Sequence, residues 1–187
     1  DVSSCGFTDA FSVAAQETVP QGLAFNTDGT KMFVLGSIGD DVNEYACDAF
    51  DVSTCGFIDA FSVAAQETVP QGLAFNTDGT KMFVLGSIGD DVNEYACDAF
   101  DVSTCGFIDA FSVAAQETSP QGLAFNTDGT KMFITGSDGD DVNEYTLSVG
   151  FDLNVPVAET ETTTSSSDCY DCKPPVLQSS HITILTN

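Results

Sequence analysis

The sequence contains no arginine, no tryptophan and one histidine, and its four lysines stand against 29 aspartate and glutamate residues. The net charge of −25 leaves nothing to neutralise phosphates, which excludes nucleic acid as a partner and disfavours anionic membrane surfaces. No apolar run approaches the roughly 20 residues that a membrane helix needs, so we expect no membrane span. The lone His181 and the lack of a nucleophile-elbow motif leave no Ser-His-Asp site.

A 50-residue repeat organises the chain. Residues 1–50 and 51–100 differ only at Ser4/Thr54 and Thr8/Ile58. Residues 101–145 continue the series with four changes from the second copy, which are Ser119, Ile134, Thr135 and Asp138. A period of this length is typical of a solenoid, a propeller or a linear array. Hydrophobic residues make up 42% of the chain, including 15 phenylalanines, which is enough for a packed core.

Each repeat has the pattern of short β-strands. Apolar alternation or a β-rich composition predicts strands over 21–26, 31–37 and 41–47, with a fourth type over 6–14. The segment NTDGTK at 26–31 contains Asp-Gly, which supplies the positive φ of a tight hairpin turn. No stretch has a convincing helical period. Four short strands in 50 residues suit a propeller blade.

The string PQGLAFNTDGTKMFV, followed by DVNEY, resembles the blade repeat of YVTN-like and related secreted β-propellers over residues 1 to about 152. The resemblance implies an all-β fold of β-propeller-type four-stranded blades in tandem, with the Gly-Leu-Ala-Phe strand innermost. The implied units begin with an orphan outer strand at 1–16, which is donated to another blade or closes the ring. Three blades follow at 17–66, 67–116 and 117–157, and a polar linker with a cysteine-containing tail occupies 158–187. Closed propellers typically need four to eight blades, so one chain forms an incomplete ring.

Two cysteines with seven residues between them span the end of each of the first two repeats and the start of the next, and two pairings respect the repeat. One joins Cys47 to Cys55 and Cys97 to Cys105 across a hairpin; the other joins Cys5 to Cys47 and Cys55 to Cys97. The third copy has Leu147 and Val155 at these positions, so the pair is lost as a unit, which favours the hairpin bridges. Tail or intersubunit bonds are then left for three cysteines: Cys5, Cys169 and Cys172. Seven cysteines in all favour an oxidising compartment.

Paired carboxylates recur as weak calcium candidates at Asp40, Asp41, Asp90, Asp91, Asp140 and Asp141. Adjacent strand residues point to opposite faces and no EF-hand spacing is present, so we expect solvated carboxylates, no metal site and no cofactor, with calcium as the alternative. Propeller lactonases and phytases gather asymmetric sites from different blades, whereas these blades are near copies. We therefore expect that the chain is not an enzyme.

An incomplete ring has exposed strand edges at both ends. We expect the orphan strand, through Phe7, Phe11 and Val13, to pair with another copy in a head-to-tail homo-oligomer or homopolymer. The chain opens on Asp1, which is expected of a processed product or a fragment. The favoured function is a non-enzymatic extracellular structural protein that forms a filament or sheath. The alternative is a cell-surface or virion adhesin that binds glycans or a protein through repeated blades.

Overall fold

The computed structural model describes residues 2–154 as three antiparallel sheets in tandem. The predicted tail, with Cys169, Cys172 and His181, lies outside the described residues. No helix in the described range is long and apolar enough to cross a membrane. A 3-10 turn at Val2–Ser4 precedes the strands, which are β1 Pro20–Phe25, β2 Lys31–Gly36, β3 Asp41–Asp48, β4 Asp51–Ser62, β5 Pro70–Phe75, β6 Lys81–Gly86, β7 Asp91–Asp98, β8 Asp101–Ser112, β9 Pro120–Phe125, β10 Lys131–Gly136 and β11 Val142–Thr146.

The sheets have the propeller-blade arrangement that the sequence predicts, and the fold class is confirmed. Blade 1 has the order β1-β2-β3-β4, blade 2 has β5-β6-β7-β8, and blade 3 has β9-β10-β11. Within the described residues the three blades do not close a ring. Blade 3 also has no fourth strand in the described range, so β11 pairs only with β10 and leaves its other edge open.

In blade 2 both faces of the second strand, β6, are buried because blades stack on either side. In β2, Met32 and Val34 belong to one apolar cluster, whereas Phe33 and Leu35 belong to another. This alternation follows from the two-residue period of a strand. Here the front face of a blade is the side bearing residues equivalent to Met32, and the back face is the side bearing residues equivalent to Phe33. The core therefore lies between blades.

The Asn-Thr-Asp-Gly turns are held by their own side chains. Asp28 Oδ1 accepts hydrogen bonds from Thr30 N at 3.0 Å and from Thr30 Oγ1 at 2.6 Å. These bonds stabilise the ionised carboxylate, so they lower the pKa of Asp28. Gly29 has a φ of +73° and lies beneath the Phe50 ring, which leaves no room for a Cβ atom.

The outer strand starts earlier than the sequence indicates. The predicted 6–14 segment corresponds to 56–64 in the next repeat, whereas β4 spans Asp51–Ser62. Ala49 and Phe50 form the preceding two-residue turn with φ values of +46° and +67°. No glycine or asparagine marks this turn. Packing of the Phe50 ring and a 3.0 Å bond from Phe50 N to Gly29 O hold it instead.

Two disulfides close the hairpins between the third and fourth strands of blades 1 and 2. They join Cys47 to Cys55 and Cys97 to Cys105, with Cα atoms 4.1 Å apart in each case. Cys5 is exposed and is a free thiol. The third copy has one extra residue before Phe151, which is the equivalent of Phe100, so the equivalent of Val102 is Leu153. The position matching Cys105 therefore shifts in sequence from Val155 to Pro156.

Candidate assembly interface

Adjacent blades interlock through a phenylalanine on the back face of one blade and two phenylalanines on the front face of the next. The Phe33 ring of blade 1 lies 4.5 Å from the Phe75 ring and 6.2 Å from the Phe100 ring of blade 2, between centroids. The Phe83 ring repeats the contact with blade 3 at 4.6 and 6.3 Å, using the rings of Phe125 and Phe151. We call the single ring the knob and the pair of rings the slot.

A charged contact accompanies each knob. Lys31 Nζ lies 2.7 Å from Glu44 Oε1 within blade 1 and donates a 2.8 Å hydrogen bond to the Phe100 carbonyl of blade 2. The other oxygen of Glu44 accepts a 3.0 Å bond from Val102 N, also in blade 2. Both charges thus reach across the blade boundary. Because Glu44 is buried, these bonds compensate for the loss of its hydration.

Close approach of the inner strands completes the contact. A Cβ atom at Gly22 would lie 3.0 Å from the Leu73 Cβ of blade 2, and one at Gly72 would lie 3.2 Å from the Leu123 Cβ of blade 3. Leu35 packs beside the Gly22 contact and is fully buried. The glycine therefore lets a leucine of the next blade reach the backbone of the inner strand.

The front face of blade 1 presents an unoccupied slot. The Phe25 and Phe50 rings are 5.4 Å apart, close to the 5.5 Å between Phe75 and Phe100, but no described residue fills the space between them. Leu23 is 62% exposed, whereas its equivalent Leu73 is 8% exposed. A groove of about 300 Å³ opens beside it, lined by Phe11, Val13, Pro20, Gln21, Gly22, Leu23, Met32, Val34 and Val52.

The back face of blade 3 presents the matching parts without a described partner. Phe133 occupies the knob position, and Val142 is 64% exposed although Val42 and Val92 are fully buried. The Lys131–Glu144 ion pair is also present, but about half of each side chain is exposed. Thr135 stands where blades 1 and 2 have buried leucines, so this face is more polar than its counterparts.

The three residues of the predicted assembly strand separate into two groups. The Phe11 ring lies edge-on to the Tyr45 ring at 5.5 Å, and Val13 packs on the same cluster. Both cover the front face of their own blade, as Phe61 does for blade 2. Phe7 is 88% exposed, and residues 5–13 form no strand. Pairing with another copy stays a prediction.

The recurring carboxylates do not form a metal centre with three acidic, His or Cys groups anywhere in residues 2–154. Asp41 Oδ1 accepts a 2.7 Å bond from Asn43 Nδ2, and one oxygen of Asp40 is buried without a hydrogen-bond partner. Burial raises the pKa of Asp41, and the negative charges of Glu17 and Asp40 add to the rise. Asp91 and Asp90 repeat this arrangement, whereas Asp140 and Asp141 are exposed. Calcium remains a sequence-based alternative.

Sequence reasoning missed the knob, the slot and the charged contact. Neither the repeated lysines nor the repeated glutamates were predicted to form contacts between blades. The only signal in the sequence was that Phe, Lys and Glu recur at fixed places in every copy. That signal does not reveal which of them cross a blade boundary.

No model of a known protein family matches the sequence, and no curated protein sequence matches it. Solved structures do resemble the fold. A functionally unknown protein from Desulfotomaculum acetoxidans is 20% identical with a TM-score of 0.55, over 72% of this chain and 41% of that one. A putative 6-phosphogluconolactonase from Bacteroides uniformis is 14% identical with a TM-score of 0.54, over 68% and 37%. The periplasmic gluconolactonase of Pseudomonas aeruginosa is 19% identical with a TM-score of 0.51, over 68% and 35%.

These comparisons correct one expectation. Proteins with this type of fold include one named as a putative 6-phosphogluconolactonase and one named as a gluconolactonase, so the prediction that the chain is not an enzyme is contradicted. At 14–20% identity the likeness shows the fold, and the chain spans about two fifths or less of the length of these three structures. The propeller-blade repeat is supported, whereas the YVTN-like designation is not confirmed. Two disulfides and a periplasmic neighbour agree with a location outside the cytoplasm.

Proposed function

We propose that this chain is a self-associating structural unit, in which the back face of blade 3 docks on the front face of blade 1 of a second copy. The observation that carries the proposal is the match between an unpartnered knob, Phe133, and an unoccupied slot, Phe25 and Phe50. The same knob and slot already join blades 1 and 2 and blades 2 and 3. The two ends are therefore complementary by repetition.

The remaining contacts transfer to the same docking position. Lys131 Nζ donates a hydrogen bond to the Phe50 carbonyl of the next copy, as Lys31 Nζ donates to the Phe100 carbonyl. The Glu144 carboxylate accepts a hydrogen bond from Val52 N of the next copy, as Glu44 accepts one from Val102 N. Docking thus buries two charges with the partners that satisfy them in the interior of the chain.

Such a contact joins a head to a tail, so it is heterologous. It builds a ring if the rotation between blades closes and a filament if it does not. Two copies supply six blades, a number within the range of closed propellers. An extracellular filament or sheath is the assembly we favour, since the hairpin disulfides suit an oxidising environment.

Two features set the strength of the contact. Thr135 removes apolar area from the centre of the docking face, and copies that each carry a charge of −25 repel one another. At about 1 M salt the Debye length falls to about 3 Å, which screens this repulsion. We therefore expect the association to be weak in dilute buffer and stronger as salt concentration rises.

Sedimentation velocity of the 187-residue chain tests the proposal, with one variant and a matched control. Leu23→Glu places a charge in the docking face, whereas Ile38→Glu makes the same change at a residue that is 68% exposed. The equivalent Ile88 stays 68% exposed beside another blade, so this position lies outside blade contacts. We expect Ile38→Glu to associate as the parent does and Leu23→Glu to remain a monomer.

A parent chain that stays monomeric at high salt and millimolar concentration contradicts the proposal, and so does equal association of both variants. A monomer that binds glycans or a protein surface through its repeated blades would support the adhesin alternative instead.

A further inference from the structure

We infer that residues 3–12 of one copy add to the open edge of β11 in another copy and complete blade 3 as its fourth strand. The inference rests on the proposed head-to-tail contact and names the segment and register that join the copies. It follows from the near identity of the repeats, because residues 1–12 have the sequence of β4 and β8 apart from two positions.

The open edge of β11 is the first observation. In blade 2, β7 pairs with β6 along one edge and with β8 along the other. In blade 3, β11 pairs with β10 alone within the described residues. Its outer row of backbone N–H and C=O groups is a template for another strand.

The aromatic packing supplies the second observation. The Tyr95 ring contacts two phenylalanines, Phe61 at 5.5 Å and Phe107 at 5.8 Å between ring centroids. The Tyr145 ring has Phe111 at 5.4 Å but no described equivalent of Phe107. That equivalent in the first copy is Phe7, which is 88% exposed. The donated strand brings an exposed ring to Tyr145, which has one described ring neighbour where Tyr95 has two.

The register of the donated strand follows from blade 2. There Val92 pairs with Phe111, Glu94 with Asp109, and Tyr95 with Phe107. Replacing the β7 residues by their equivalents in β11, and the β8 residues by their equivalents in the first copy, places Phe11 opposite Val142, Asp9 opposite Glu144, and Phe7 opposite Tyr145. Phe11 and Val13 keep their positions on the front of their own blade, because Phe61, near the end of β4, and Val63, just after it, likewise cover the front face of blade 2.

The chain's own continuation is the competing strand for this edge. Leu153 N donates to Glu94 at 2.9 Å, as Val102 N donates to Glu44, so residues 152–153 start along the course of β8. Beyond them the sequence carries Pro156 and, at the position of Phe107, Ala158. Proline removes a donor from a strand and alanine offers no ring to Tyr145. The donated segment therefore fits the edge better.

A cysteine trap tests the register. Leu147 occupies the position of Cys47 and Cys97, and Cys5 occupies that of Cys55 and Cys105. Leu147→Cys, with Cys169→Ser and Cys172→Ser to remove the tail thiols, should give disulfide-linked copies in a glutathione redox buffer, where glutathione disulfide is the oxidant. We expect dimers or a ladder on a non-reducing gel, collapse to monomer on reduction, and a linked peptide that joins Cys5 to position 147.

Two controls fix the meaning of each result. The same protein with Cys5→Ser should give no linked copies, and Asp138→Cys in place of Leu147→Cys should give none. Copies that associate in sedimentation but do not link through position 147 overturn the donated strand and leave the docking contact standing. Copies that do not associate at any concentration overturn both.

Discussion

Thr135 offers the sharpest perturbation of the docking contact. It is exposed on the back face of blade 3 and lies beside Gly122, whereas Leu35 and Leu85 at the same position are fully buried by the next blade. Restoring leucine at this position should therefore strengthen docking. Because the side chain is exposed in a monomer and buried in the assembly, the monomer itself should change little.

The magnitude follows from the buried area. Full burial of a leucine side chain is worth about 1.5–3 kcal/mol, and we take about 2 kcal/mol for the exchange with threonine. This corresponds to a dissociation constant that is roughly 30-fold lower. Sedimentation equilibrium over a concentration series measures that constant directly, at fixed pH and high salt.

Ser119→Val is the matched control. It also restores the residue of the first two copies without changing charge, but Val19 and Val69 belong to none of the apolar clusters. We expect less than a threefold effect from this control. If Thr135→Leu leaves the dissociation constant unchanged, or if both variants strengthen association equally, the docking geometry is wrong.

Three further predictions concern the stability of the chain itself. Replacing Cys97 and Cys105 by serine opens a loop with a sequence separation of 8 and should lower the free energy of unfolding by about 2–3 kcal/mol, as measured with urea. Glu44→Gln should cost about 2 kcal/mol in the same assay because it breaks a buried ion pair, whereas the exposed Glu144→Gln should cost less than about 0.5 kcal/mol; equal losses would contradict the interblade role. Burial raises the pKa of Asp41, so its stabilising contribution is complete below the unfolded pKa of about 3.8 and is lost as pH rises through the folded pKa. Asp41→Asn should therefore raise the urea midpoint at pH 7 but not at pH 3, and a loss at pH 7 would contradict this sign.

The strands and hairpins of a single blade could be predicted from the sequence because the signals for them are local. The Asp-Gly turn, the apolar alternation of β1 and the β-rich composition of β2 are each contained in one short segment, and the joint loss of two cysteines in the third copy concerns one hairpin. They led to the strands, the propeller-type fold and the hairpin pairing that the structure contains.

The contacts between blades could not be predicted in the same way. Phe33 meets Phe75 and Phe100, which lie 42 and 67 residues further along the chain, so no local period relates them. The early start of β4 was also missed, because Ala49 and Phe50 adopt positive φ only while the Phe50 ring is packed on Gly29. Tertiary contacts decide both features.

The central claim is that Phe133 of one copy enters the slot of Phe25 and Phe50 in the next. Electron microscopy of the unreduced 187-residue chain at high salt tests it most directly. The account predicts closed particles of six blades from two copies, or fibres whose axial repeat is one three-blade unit. Isolated three-blade particles of the 19.6 kDa chain at the same concentration would contradict it.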